Sequence, residues 1–128
     1  MIVIRADDVK GIWTKAPHHR ELKVLLSPFL QDVSKDLAIG MVTIPPGEKG
    51  DPHTHHDEQE VWYGLEGRGV LRIGDDEVDL GPDTIVVAPS GVEHQILNPS
   101  DETMRALFIY TPAGPEKSHI PKETKNII

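Results

Sequence analysis

The chain reads as an all-β fold, an antiparallel sandwich or barrel, on three observations. Short runs of β-branched and aromatic residues recur roughly every 8 to 12 residues, with turn residues between them. Proline and glycine each number 11 of 128 residues, short of low complexity but suited to many tight turns. Nowhere does the apolar pattern sustain a long amphipathic helix.

Met1–Ile4 is a β-branched run that suits an edge strand or arm, broken by Asp7-Asp8 and Lys10-Gly11, and Ile12–Thr14 suits a second small strand. Ala16–His19 is a loop. Glu21–Leu26 is a strand with Leu22, Val24 and Leu26 on one face, stopped by Ser27-Pro28. Phe29–Asp36 is a connection with room for one helical turn. Leu37–Ile44 is apolar on both faces, as a strand buried between two layers would be. Glu60–Leu65 is a strand, Glu66-Gly67 a turn, and Val70–Ile73 its expected hairpin partner. Gly74–Asp76 turns into Glu77–Leu80, and Gly81–Asp83 turns into Thr84–Ala88. Gln95–Leu97 and Met104–Thr111 complete the strands, and an extended tail is expected from Pro112 onward. The whole is read as one domain, with an N-terminal arm over residues 1–14, a barrel core over about 20–112 and a tail over 113–128.

The chemistry concentrates between Gly47 and Gly67. His53 and His55 are two apart, so in an extended chain they share a face. Glu60 opens a strand-forming run, and a buried carboxylate there would be costly without a partner. His94 follows the turn Pro89-Ser90-Gly91 and begins another apolar strand. Three imidazoles and one carboxylate suit Zn, Fe, Ni, Cu or Mn, and the spacing does not choose among them. His56 points away from His55 and is read as a surface residue. His18, His19 and His119 are read as solvated, in loops that could still cover a barrel mouth. Trp62 and Gly64 should share the inward face of Glu60, with Gly64 leaving room for a ligand. Arg72 is the one cation in an apolar strand, read either as solvent-facing or as a carboxylate clamp. Ile96 is expected to line the same cavity, and Asn98 to hold a turn before Pro99.

These residues resemble the cupin family. Gly47, His53, His55, Glu60 and Gly67 occupy every fixed position of its first motif, and Pro89, Gly91, His94 and Asn98 fit the core of its second. One departure is Asp83, where the family usually has glycine. The resemblance implies a double-stranded β-helix, or jelly-roll barrel, with a metal in its mouth and frequent pairing as a homodimer. It implies no single reaction, since cupins include dioxygenases, decarboxylases, isomerases, lyases, storage proteins and sensors.

Other classes recede on composition. The net charge of −8 is the wrong sign for nucleic-acid binding. No apolar run approaches the length of a membrane span, and no signal peptide is legible at the start. The chain has no cysteine, which excludes disulfides and thiolate ligands and is compatible with a reducing cytoplasm. The expectation is a metal-dependent enzyme of oxygenase, isomerase or lyase type, using one divalent transition metal on a small oxygenated or sugar-derived acid. The alternative is a non-catalytic ligand-binding or sensing module.

Overall fold

The structure is a computed structural model in which residues 1–122 are described. Among these residues nine strands form two antiparallel sheets: β1 (Ile12–Trp13), β2 (Glu21–Leu26), β3 (Ala38–Ile44), β4 (Gln59–Glu66), β5 (Gly69–Ile73), β6 (Asp76–Leu80), β7 (Ile85–Ala88), β8 (His94–Leu97) and β9 (Met104–Thr111). The larger sheet has the order β1-β2-β3-β9-β4-β7, and the smaller has β6-β5-β8. The all-β expectation holds, and this pair of antiparallel sheets forms a jelly roll.

Alternation sets the core. In β9, Met104, Ala106, Phe108 and Tyr110 are buried while Arg105, Leu107, Ile109 and Thr111 are partly exposed. The inward set packs with Leu22, Val42, Ile44 and Trp62 of the same sheet and with Leu71, Leu80 and Ile96 of the other. β3 is buried along most of its length because β2 and β9 flank it on both edges. Leu26 falls outside the expected face because the register shifts between Val24 and Leu26, a β-bulge.

Three local expectations change. β5 is not the hairpin partner of β4: the chain leaves the Glu66-Gly67 turn for the other sheet, where β5 pairs with β6 and β8. Met1–Arg5 forms no strand, although β1 does pair with β2 through Ile12↔Leu22 and Trp13↔Glu21. The segment after Pro112 is packed rather than extended as far as it is described. Pro115–His119 is a 3-10 turn, and Glu116 inside it is fully buried. The last six residues of the expected tail lie outside the described part.

Candidate metal centre

Backbone pairing assembles the site. The loop before β4 runs antiparallel to β8, with Gly50 N donating to Ile96 O at 2.9 Å. His53 and His94 exchange reciprocal backbone hydrogen bonds of 3.0 and 2.9 Å, so their side chains stand side by side. Gly91 N donates to His55 O at 2.7 Å, tying the turn of the second motif to the loop of the first. Glu60 projects inward from β4 beside them.

Glu60 Oε1 is the focus. It lies 3.6 Å from His53 Nε2, 3.4 Å from His55 Nε2 and 2.9 Å from His94 Nε2. The second nitrogens of two rings are already used: His53 Nδ1 donates to Asp51 O at 3.0 Å and His94 Nδ1 to Val92 O at 3.3 Å. That fixes the tautomer and leaves the Nε2 lone pairs aimed at one point. Glu60 and His94 are only 4% and 3% exposed. Glu60 Oε1, His55 Nε2 and His94 Nε2 are sealed from solvent without a hydrogen-bond partner, the short His94–Glu60 approach lacking hydrogen-bond geometry. Three orphaned polar atoms in one spot are costly unless something joins them.

A cation fits. Ligand atoms held about 2.1 Å from an ion stand roughly 3.0 to 3.4 Å apart in octahedral or tetrahedral arrangement, close to the separations observed. The four residues bring their donor atoms within 4.8 Å of one another and could hold a metal ion. Electrostatics agree with an ionised carboxylate. Burial alone would raise the Glu60 pKa, but the imidazoles of His53, His55 and His94 outweigh it and lower it to about 2. Burial pulls the His53 pKa down, yet the neighbouring Glu60 carboxylate, with the Asp51 backbone and charge, prevails and raises it.

Beside His53, Glu60 and His94 lies a small cavity of about 30 Å³, partly open to solvent. Trp62 and Ile96 line it as expected, with the Trp62 ring edge-on to His94 at 5.0 Å. Two expected wall residues do not. Arg72 is on the outer face, 54% exposed, and pairs with Glu77 at 2.8 Å. It follows the inward Leu71, so alternation turns it to solvent. Gly64 is inward but leaves no free space. A side chain there would come within 1.8 Å of the Gly81 carbonyl oxygen, so the neighbouring backbone already fills the gap.

Among the other residues lining the cavity are Arg20, Tyr110 and, from a loop that could cover the mouth, His119. Arg20 is a buried cation at its wall, bonded to Asp51 Oδ1 at 2.7 Å, to His18 O at 3.1 Å and to Thr14 Oγ1 at 3.2 Å. Partial burial would raise the Asp51 pKa, and the Arg20 guanidinium reverses this to a net lowering. Tyr110 pairs with Glu60 in the β4–β9 register and therefore shares its face. The alternation of β9 was the signal for it. His119, read as solvated, instead lines the mouth from the C-terminal turn, its ring edge-on to Phe108 at 6.4 Å. Nothing local to its sequence announces this. His56 is exposed, as expected. A larger groove of about 130 Å³ lies elsewhere, between Val24, Leu25, Leu30 and Ile120. It gathers no metal-ligating set among the described residues.

Comparison with known proteins agrees with this geometry. Residues 40–110 match the family model described as the cupin domain. The polyketide synthase CurC of Streptomyces cyaneus is 28% identical over 125 residues, covering 96% of this chain and 80% of that protein. A glucose-6-phosphate isomerase of Thermococcus kodakarensis is 26% identical over 130 residues, covering 85% and 68%. Among solved structures, a predicted oxalate decarboxylase from Thermotoga maritima superposes with a TM-score of 0.79 at 22% identity, over 88% of this chain and 100% of that one. The match spans both histidine motifs and the strands that carry them, and on it the chain belongs to the cupin family.

Proposed function

We propose that this cupin is a metal-dependent enzyme acting on a small oxygenated or sugar-derived acid, with His53, His55, Glu60 and His94 as ligands of one divalent transition metal. The observation that carries the reading is the set of sealed, unpartnered donor atoms on Glu60, His55 and His94, beside a cavity that Glu60 and His94 line. A bound divalent ion would supply Lewis-acid polarisation of a chelating oxygen, or one-electron chemistry if it were iron or copper.

The chain's own residues set what can approach. Glu60 carries one negative charge and neutral imidazoles carry none, so a divalent site keeps a net charge near +1. Arg20 and Asp51 cancel each other at the wall. Leu22, Val42, Trp62, Ile96 and Phe108 make the remainder apolar, which strengthens the attraction of that charge for an anion. Tyr110 and His119 bring proton-bearing groups to the same space, which favours turnover over passive binding. The relatives named for isomerase and polyketide chemistry support the enzyme reading without choosing a reaction.

The test is elemental analysis of purified protein beside His55→Ala and His56→Ala, followed by a substrate screen on the loaded form. Metal should be lost in the first variant and kept in the second. Equal metal in both would overturn the ligand assignment.

For assembly we propose a homodimer. Ile2, Val3 and Trp13 are each at least half exposed beside the β1 edge, a poorly satisfied apolar arm. Deleting residues 1–14 should shift sedimentation towards monomer or aggregate, and an unchanged dimer would place the interface elsewhere.

A further inference from the structure

The polar groups around the cavity divide into those with partners and those without. Arg20 is held by Thr14, His18 and Asp51, so its guanidinium is not free to grip a ligand. The histidines and Glu60 face one another. Tyr110 is different. It is 3% exposed, its ring lies 5.1 Å from His55 at an 80° angle and 5.5 Å from Phe108, and its hydroxyl makes no hydrogen bond to any described residue. Buried phenols ordinarily find a partner. Tyr110 lines the cavity.

His119 reaches the same space by a separate route. Its turn is pinned by Glu116, whose carboxylate accepts from Ser27 Oγ and from Gly114 N, each at 2.6 Å. Ser27 in turn accepts from Phe29 N at 3.1 Å. A fully buried carboxylate with both oxygens bonded is a firm anchor, and it lies three residues before His119. The anchor holds the imidazole over the mouth, where it also packs on Phe108.

We infer that Tyr110 and His119 form a ligand-binding pair facing the proposed metal ligands, the Tyr110 hydroxyl donating a hydrogen bond to an oxygen of the bound acid while the His119 imidazole covers it from the C-terminal turn. This rests on the functional reading above and narrows its substrate class. The acid must present an acceptor oxygen beyond those that chelate the ion, as oxalate, 2-oxo acids and sugar-derived acids do. Burial, then the Arg20 charge, lowers the His119 pKa, so His119 closes the cavity as a neutral ring.

The experiment is titration calorimetry of oxalate into the metal-loaded protein. Wild type is compared with Tyr110→Phe, His119→Ala and Tyr63→Phe, with metal content measured for each. Tyr63 is the control, since its hydroxyl donates to Asp83 on the outer face. Tyr110→Phe should weaken oxalate about tenfold or more, the worth of a hydrogen bond to a charged acceptor, with metal content unchanged. His119→Ala should weaken binding and speed dissociation, and Tyr63→Phe should do neither. Wild-type affinity in metal-loaded Tyr110→Phe would overturn this inference and leave the functional reading standing. Loss of metal together with affinity would also overturn it, making Tyr110 a support for His55. Failure of loaded wild type to bind oxalate would overturn both the acid reading and the pair.

Discussion

Stripping the metal should change both the stability of this protein and its response to pH. Three donor atoms at the centre are buried without partners, and each such atom costs about 1–3 kcal/mol. Joining them to an ion therefore has several kcal/mol of unfavourable burial to relieve. By linkage, free metal at 100 times its dissociation constant stabilises the fold by about 2.7 kcal/mol. Urea unfolding of chelator-treated and metal-saturated protein at pH 7.5 should differ by at least that amount. The pH dependence then separates a metal effect from a general ionic one. In the stripped protein the His53 pKa is raised above 6.5. A raised imidazole pKa contributes stability that is complete below the unfolded value and lost as pH climbs through the folded one. From His53, then, the stripped form gains stability on mild acidification. The loaded form behaves oppositely, because an ion takes only neutral imidazole and must compete with the proton. The two stability curves should converge as pH falls from about 8 towards 6. Glu60, lowered to about 2, adds stability above the unfolded value of 4.5 that is lost only as pH falls towards 2, so it does not disturb this window. Parallel curves, or coincident unfolding at pH 7.5, would refute the assignment of these four residues to a cation.

Three further outcomes follow from the packing. Gly64→Ala should destabilise the fold by about 3 kcal/mol or more, since its new methyl meets backbone rather than a movable side chain; thermal unfolding checks it. Ser27→Ala should cost about 1–3 kcal/mol by leaving a buried Glu116 oxygen unpaired, and hydrogen exchange should show the loss concentrated in the Gly114–Ile120 turn. Arg72→Ala should change stability by less than about 0.5 kcal/mol and leave oxalate affinity untouched, because the Arg72–Glu77 pair is on the surface.

What was legible in the sequence was whatever a short stretch of backbone determines by itself. The four candidate ligands were readable because two-residue alternation and a fixed loop length place them, and the loop's own pairing with β8 completes the set. Asp83 belongs to the same class. It stands where the family pattern has glycine, and its φ of +59° shows why: the turn requires the left-handed region, which Asp tolerates at some cost. Its amide donates to Gly64 O at 2.9 Å and its carboxylate accepts from Tyr63, so the substitution keeps the turn. Asn98 likewise holds its turn, and it also donates to Ile44 O across to the end of β3.

The misreadings have a different origin, because each depended on which distant segment arrives opposite. Alternation identified β4 and β5 as strands, but no local signal says that the turn between them changes sheets. It turned Gly64 inward correctly without revealing that the Gly81 backbone waits there. It placed Arg72 beside inward Leu71 and so already implied solvent, yet a lone cation among apolar residues drew attention from Arg20, whose burial depends on Asp51 more than thirty positions away. Tyr110 was within reach of the same alternation, since Met104, Ala106 and Phe108 precede it at even spacing. His119 was not, because its place follows from a carboxylate, Glu116, that finds its partner in Ser27 at the far end of β2. The four residues that could hold an ion thus follow from local spacing, and Tyr110 from strand alternation, whereas Arg20 and His119 reach the cavity by chain closure.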